Sequence, residues 1–420
     1  LIMYEYNFND IRKTIEEILD KSLTKSKEAY YNQLEIFKND QDDNESLKDV
    51  KVKKKKIIMK DPSNGQANIE KEVIDFEDVE NLKFETFYNV GFGLFEMTSE
   101  IIYKTVYNIK FEYVIFKNCI FKNIQFENCI FLGCEFLDCT FLNTKFKEDE
   151  FFNFNLESIA YFSNSSFHNC IFDKTNLRKS IFQQNKIKNI QFILCNLKKS
   201  IFDKDEIESI YFSDCNLKSF SMINSKVYKL EFDDEFVTKL NENTFFDKFI
   251  CRDKNKEYYA SISKTYKNIA SQFESNRILN ISGEYHYLYK CSQSKTLEGF
   301  SKFKSKIFWL TCGYGERPTY ALITSLEIVL IFAIIYMFTG ISIGDRLINY
   351  NLTSFSILEK KLILVDFLES LYFSLVTFTT VGYGDIIPIG TSIILSSIEM
   401  ILGVTLVGIW TATLARKITR

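Results

Sequence analysis

FEYVIFKNCIFKNIQFENCIFLGCEFLDCTFLNTKFKEDEF, residues 111–151, sets a phenylalanine at every fifth position: Phe111, Phe116, Phe121, Phe126, Phe131, Phe136, Phe141, Phe146 and Phe151. A step of five turns an α-helix by about 140° and puts a strand residue on the opposite face, so neither element gathers these rings on one side. A solenoid does, if each five-residue unit forms one wall. The series resumes one residue out of phase at Phe162 and runs to Phe232, with Leu, Ile, Met or Val at some centres, which implies one extra residue between Phe151 and Phe162. Two positions before each centre the residue is often small, and Cys119, Cys129, Cys134, Cys139, Cys170, Cys195 and Cys215 all fall in this slot. Their phase predicts small apolar fillers of a narrow interior, since disulfides or a metal cluster need no register with phenylalanine.

Thr175-Asn176-Leu177, Cys195-Asn196-Leu197 and Cys215-Asn216-Leu217 show a small residue, then Asn, then a large apolar centre. In this respect residues 109–232 resemble the pentapeptide-repeat family. The resemblance implies a right-handed, four-sided β-helix, an all-β solenoid with four pentapeptides per coil. About six coils stacked at ~4.8 Å would give a rod roughly 30 Å tall. Some members of that family mimic duplex DNA through acidic charge, yet residues 109–232 hold 16 Lys and Arg against 15 Asp and Glu. A neutral rod is a poor phosphate mimic, so scaffolding or docking is the expected role, without nucleic acid. His168 reads as a wall residue.

Outward from the repeats, residues 1–40 are charged and amphipathic, with Ile11, Ile15 and Ile18 on one helical face and no cleavable leader. The lysine run at 51–56 and the turn signal DPSNG at 61–65 read as a solvated strand or linker. After the repeats, Tyr259, Ile262, Tyr266, Ile269 and Phe273 recur at helical spacing, and a second helical pattern starts near Ser282, predicting a helical hairpin. Lys302, Lys304 and Lys306 then precede Ile307, Phe308, Trp309 and Leu310, a composition suited to a headgroup layer.

Two stretches, 319–340 and 391–415, are long and apolar enough to cross a bilayer; each carries one carboxylate, Glu327 and Glu399. A satisfied polar contact is favoured for these over a gating sensor. Between the stretches lies TTVGYGD, residues 379–385, preceded by an apolar run of one short helix; the same Gly-Tyr-Gly recurs in TCGYGERP, residues 311–318. Replacing the water shell of K+ takes rings of inward carbonyls, and such a backbone needs positive φ at alternate residues, which Gly382 and Gly384 adopt without strain. Only the second copy has spans and a preceding helix. The first, Gly313-Tyr314-Gly315-Glu316-Arg317-Pro318, reads as a tight turn that opens a helix at Pro318 and couples rod to membrane part.

Residues 319–420 therefore resemble a two-transmembrane potassium channel. The resemblance implies an all-α pore domain with a re-entrant pore helix and a selectivity filter of Thr380, Val381, Gly382, Tyr383 and Gly384, with Thr379 and Asp385 at its mouth. It places Val404, Val407, Thr411 and Ala415 on the cavity side and makes Gly403 and Gly408 hinge candidates, with close packing an equal alternative for either. One filter strand per chain implies a homotetramer. Many channels carry a carboxylate behind the filter where this sequence has Val376, so inactivation of that kind is not carried over. Cationic residues before the first stretch and after the second outnumber those between, predicting cytoplasmic termini and a plasma, or inner, membrane location.

The expected organisation is an N-terminal helix, linker and β-helix entry at 1–100, the solenoid at 101–235, a helical connector at 236–300, an interfacial segment at 301–318 and the pore domain at 319–420. The expected function is non-enzymatic K+ conduction with no cofactor beyond permeant K+. A cytoplasmic solenoid would scaffold or regulate it through an unknown partner or ligand. The rival is a membrane-anchored scaffold that conducts little or nothing.

Overall fold

The computed structural model describes residues 6–42, 53–60, 68–75, 81–83, 85–88, 90–92, 104–151, 159–249, 255–350 and 360–419. The chain forms two compact units, Leu1–Ser292 and Gln293–Arg420.

The first unit is built on a parallel β-solenoid. Phe111 pairs with Phe131, Phe116 with Phe136, Phe121 with Phe141 and Phe126 with Phe146, so one coil takes 20 residues and four pentapeptides. Inside, the rings stack on those of the next coil with centroids 4.6 Å apart for Phe111 and Phe131 and 4.7 Å for Phe121 and Phe141. Each such pair adds about 0.5–1.5 kcal/mol beyond burial. One wall contains eight strands, which makes about seven turns, one more than the phenylalanine series alone suggests. The additional strands lie outside the series, at Thr86–Tyr88 and Phe245–Phe246.

Two expectations are corrected. Phe136 pairs with Phe162, a step of 26 residues in place of 20, so six residues are inserted and Phe151 and Phe162 occupy consecutive walls. The slot two residues before each centre is also more than an apolar filler. Cys139 Sγ lies 3.2 Å from the carbonyl of Phe116, Thr144 Oγ1 donates to Phe121 at 3.1 Å, and Ser200 Oγ donates to Leu177 at 2.7 Å, each on the coil before. Slot residues thus satisfy interior carbonyls between coils. Burial pushes the Cys129 and Cys170 thiols up to about 12, which leaves them unreactive. None of the nine described cysteines forms a disulfide.

The corners have their own rule. Three residues before most centres the backbone is left-handed, and Asn occupies many of these positions, including Asn118 (φ 52°), Asn128 (φ 55°) and Asn169 (φ 53°). Asn tolerates that region better than most side chains do. His168 lies half-buried on a wall, and burial followed by the Lys188 charge lowers its pKa.

Helices finish this unit. α1 (Phe8–Asp42) is fastened along one wall: Arg12 donates to both Asp247 oxygens at 2.5 and 2.9 Å, Asn224 donates to Glu16 at 2.8 Å, and Tyr30 packs against Tyr113. Its buried residues are Phe8, Ile15 and Leu19, while Ile18 is 49% exposed, so the contact face is rotated from the expected one. The lysine run forms a hairpin, Lys53–Lys60 antiparallel to Asn68–Asp75, which continues the sheet through Val90–Phe92; the DPSNG turn lies outside the described residues. At the other end, α2 (Lys256–Ser275) and α3 (Leu279–Ser294) close the open coil. An exposed sheet edge leaves amides and carbonyls without partners. Here Thr265 accepts from the Leu230 amide, Asn268 donates to the Leu230 carbonyl, Gln272 donates to Thr238, and the Tyr285 hydroxyl bonds both the amide and the carbonyl of Phe246.

The second unit is helical. α4 (Gly299–Cys312) exposes Phe300, Phe303, Ile307, Phe308, Trp309 and Leu310, interleaved with lysines. α5 (Pro318–Thr339) and α7 (Ser392–Ile418) are apolar and long enough to cross a bilayer, and α6 (Lys360–Phe378), between them in the chain, packs against both while they pack on each other. Strand Ile341–Ile343 pairs with both Arg346–Ile348 and Ile386–Pro388, tying the end of α5 to the approach to α7.

Candidate functional site

The loop after α6 is held by three amides that extend the helix: Thr379 donates to Leu375, Thr380 to Thr377 and Val381 to Val376, each at 3.0 Å. Beyond this anchor, φ is positive at Thr380 (60°), Gly382 (56°) and Gly384 (80°) and at neither Val381 nor Tyr383. Residues 379–385 are exposed on the single subunit, with Tyr383 72% exposed. At the far end Asp385 accepts a hydrogen bond from Tyr372 of α6 at 2.8 Å, which fixes that end of the loop to the helix before it. The other end of α6 is fixed at Asp366, which accepts from Tyr350 and lies 3.2 Å from Arg346; Arg346 also meets Glu369.

Glu399 is fully buried where α5, α6 and α7 meet. It accepts from the Tyr336 hydroxyl at 2.6 Å and lies 2.5 Å from Ser374 Oγ, so three helices share one carboxylate. Glu327 is exposed on α5 and its side chain makes no hydrogen bond among the described residues. Val376 is buried, and the carboxylate bonded to this part of α6, at Ser374, comes from α7.

The two inner glycines differ. A Cβ on Gly403 would overlap the Phe378 carbonyl oxygen and lie 2.9 Å from its carbon, so α7 crosses the last turn of α6 at a distance only glycine permits. Nothing lies within 4 Å of a Cβ on Gly408. Val404, Val407, Thr411 and Ala415 occupy exposed positions of α7, while Gly403, Leu406 and Thr413 are buried.

In the other Gly-Tyr-Gly copy three successive residues are left-handed, Gly313 (φ 50°), Tyr314 (φ 57°) and Gly315 (φ 82°), and α5 starts at Pro318. Thus the two copies have different backbones. Glu316 is 6% exposed and pairs with Arg416 near the end of α7 at 3.2 Å; the same guanidinium lies 3.1 Å from where a Gly315 Cβ would be. Tyr314 OH is 2.9 Å from Ser305 on α4. The turn therefore links α4 to the end of α7, a contact between residues 100 positions apart that no sequence spacing announces. Among the described residues no cluster of three or more His, Cys, Asp or Glu side chains could hold a metal ion.

Residues 347–420 match the family model for ion channels, and residues 160–198 match the model for pentapeptide repeats in eight copies. The protein thus joins a pentapeptide-repeat solenoid to a C-terminal region that matches ion channels and that follows one and contains the other of two helices long and apolar enough to cross a membrane. Among solved structures, the full-length fluoroquinolone-resistance protein QnrB1 matches at 13% identity over 44% of this chain and 99% of its own, with TM-score 0.22. HetL, a pentapeptide repeat protein involved in heterocyst differentiation regulation in Nostoc, matches at 6% identity over 37% and 77%, with TM-score 0.16. No curated protein matches the chain.

Proposed function

We propose that the chain is the subunit of a homotetrameric, K+-selective channel. The observation that carries this reading is the alternation of φ at Thr380, Gly382 and Gly384 in an exposed loop at the C-terminal end of α6, between two apolar helices. Such alternation turns successive peptides so that consecutive carbonyls face one side, and four copies around an axis would replace the water shell of K+. Thr380, Val381, Gly382, Tyr383 and Gly384 then form the filter, Thr379 and Asp385 its ends, and Val404, Val407, Thr411 and Ala415 the cavity wall. The helix dipole of α6 points its negative end toward the same axis. The protein acts without a cofactor other than permeant K+ and without catalysis, in the plasma or inner membrane. Cationic flanks support cytoplasmic termini, with the solenoid on that side for an unidentified partner or ligand.

Reconstitution in liposomes tests the reading. K+ flux with K+ preferred over Na+ and block by Ba2+ is expected; well-folded tetramers that conduct nothing would leave a membrane-anchored scaffold in its place. The turn at 313–318 makes a separate prediction. Breaking the Glu316–Arg416 pair removes the cationic partner of a buried carboxylate, at about 1–3 kcal/mol. Arg416→Gln is therefore expected to change open probability by roughly tenfold, as about 1.4 kcal/mol would, with K+ over Na+ selectivity intact. Single-channel recording checks both quantities, and the exchange E316R/R416E should restore much of the original gating.

A further inference from the structure

Where charged side chains stack from coil to coil, the solenoid mostly alternates their sign. Lys147 meets Glu127 at 2.7 Å, Lys174 meets Glu148 at 3.3 Å, Lys226 bonds Glu206, and Lys186 is in register with Glu206. One corner does the opposite. The segments TNLRKS (175–180), CNLKKS (195–200) and CNLKSF (215–220) stack in register, Asn176 on Asn196 on Asn216, with Lys239 next in that column. The Lys179 amide bonds the Lys198 carbonyl at 3.0 Å and the Lys199 amide bonds that of Lys218 at 3.1 Å. Arg178, Lys198 and Lys218 thus form one column of cations, and Lys179 and Lys199 a second, at steps of about 4.8 Å.

Folding does not account for this ridge. Like charges stacked across strands oppose each other. Lys179 (φ 60°) and Lys199 (φ 62°) also stand in the left-handed region that Asn fills at many other corners, so a cation is present against local preference. Lys199, Lys218 and Lys239 are exposed, and with Lys198 they form no ion pair among the described residues. The backbone beneath is rigid: Asn176, Asn196 and Asn216 each accept from the amide two residues on at 3.3 Å.

We propose that this ridge docks the solenoid unit onto an anionic bilayer surface. The unit ends at Ser292 and the first membrane-crossing helix starts at Pro318, so a bilayer is tethered to it by a short run of chain and is present at high effective concentration. Compact Lys and Arg clusters bind anionic headgroups without needing a matched partner surface. The segments 176–180, 196–200 and 216–219 contain no aromatic residue on which bases would stack, and the rod around them is close to neutral, which disfavours nucleic acid as the polyanion.

The test uses the full chain in nanodiscs of neutral phosphatidylcholine, or of the same lipid with about one third phosphatidylglycerol. Acylation of individual lysines is read by mass spectrometry. Lys198, Lys199, Lys218 and Lys239 are expected to be protected at least about threefold in the anionic discs, with protection lost near ~0.5 M salt, where screening is short-ranged. Lys186 and Lys188 on another wall should not change. In the triple variant K198N/K199N/K218N, Lys239 should lose its protection while the solenoid unfolds no earlier than the original. Equal labelling in both discs, or equal protection of Lys186 and Lys188, overturns the proposal. Protection by an added oligonucleotide but not by anionic lipid would overturn it in favour of nucleic acid. The readout is independent of conduction, so a channel that fails to conduct leaves this result interpretable.

Discussion

Gly403→Ala is expected to abolish K+ flux and to lower the thermal unfolding temperature of the channel domain. The added methyl would overlap the carbonyl of Phe378, the last residue of α6 and the one directly before the loop 379–385. Overpacking a core typically destabilises by about 1–3 kcal/mol when side chains can shift aside. Here the obstacle is backbone, whose movement would carry Thr379 and Thr380, both bonded into the end of α6, along with it. Gly408→Ala supplies the contrast: with nothing within 4 Å, it should retain flux and gain up to roughly 1 kcal/mol of helix propensity. Flux and unfolding measured together separate packing from hinging. A pure hinge role at Gly403 predicts a normally stable tetramer with altered open probability, and that outcome would exclude the packing account.

The solenoid was legible because one ring type marks nearly every wall, and a five-residue period fits no helix or strand. Details that depend on the next coil were not. A period of five does not distinguish an insertion of one residue from one of six, since both shift the phase equally, and only the pairing of Phe136 with Phe162 decides. Cysteine dominated the interior slot and suggested apolar filling, although Ser165, Thr175 and Asn185 share it and donate to carbonyls of the coil before. That shared ability to donate was the signal, together with Asn at the corners. Ile18 was misplaced because the face of α1 is set by the wall it meets, through Arg12 and Glu16, more than by its own apolar residues. In the channel domain the loop 379–385 stands out by its own residues, whereas the partners of Glu399 and Arg416 come from other helices.

Lowering the pH from 8 to 5 is expected to stabilise the solenoid, contrary to the usual behaviour of carboxylates. Asp149 and Asp205 occupy interior slots, each almost fully buried. Asp149 Oδ1 accepts from the Cys129 amide at 2.6 Å and Asp205 Oδ1 from the Asn185 amide at 2.8 Å, but the second oxygen of each has no hydrogen-bond partner among the described residues. Burial is the dominant cause that pushes Asp149 up to about 8 and Asp205 well above the usual carboxylate range. A folded-state pKa above the unfolded one means that folding binds protons. The stabilisation is therefore complete below about pH 4 and is lost as pH rises through the folded value near 8. Each group changes stability by up to about 1.4 kcal/mol per pH unit within that window. Other slots show the alternative: a hydroxyl donating to the carbonyl one coil back, which by the same offset is that of Phe126 for position 149 and of Phe182 for position 205. Asp149→Thr and Asp205→Ser should therefore raise stability at pH 8 by a few kcal/mol and flatten its pH dependence. Denaturant unfolding of the full chain, followed by the β-sheet circular dichroism of the solenoid at pH 5 and pH 8, measures both effects. Unchanged pH dependence in the double variant would show that the carboxylates stay ionised through contacts with water inside the rod.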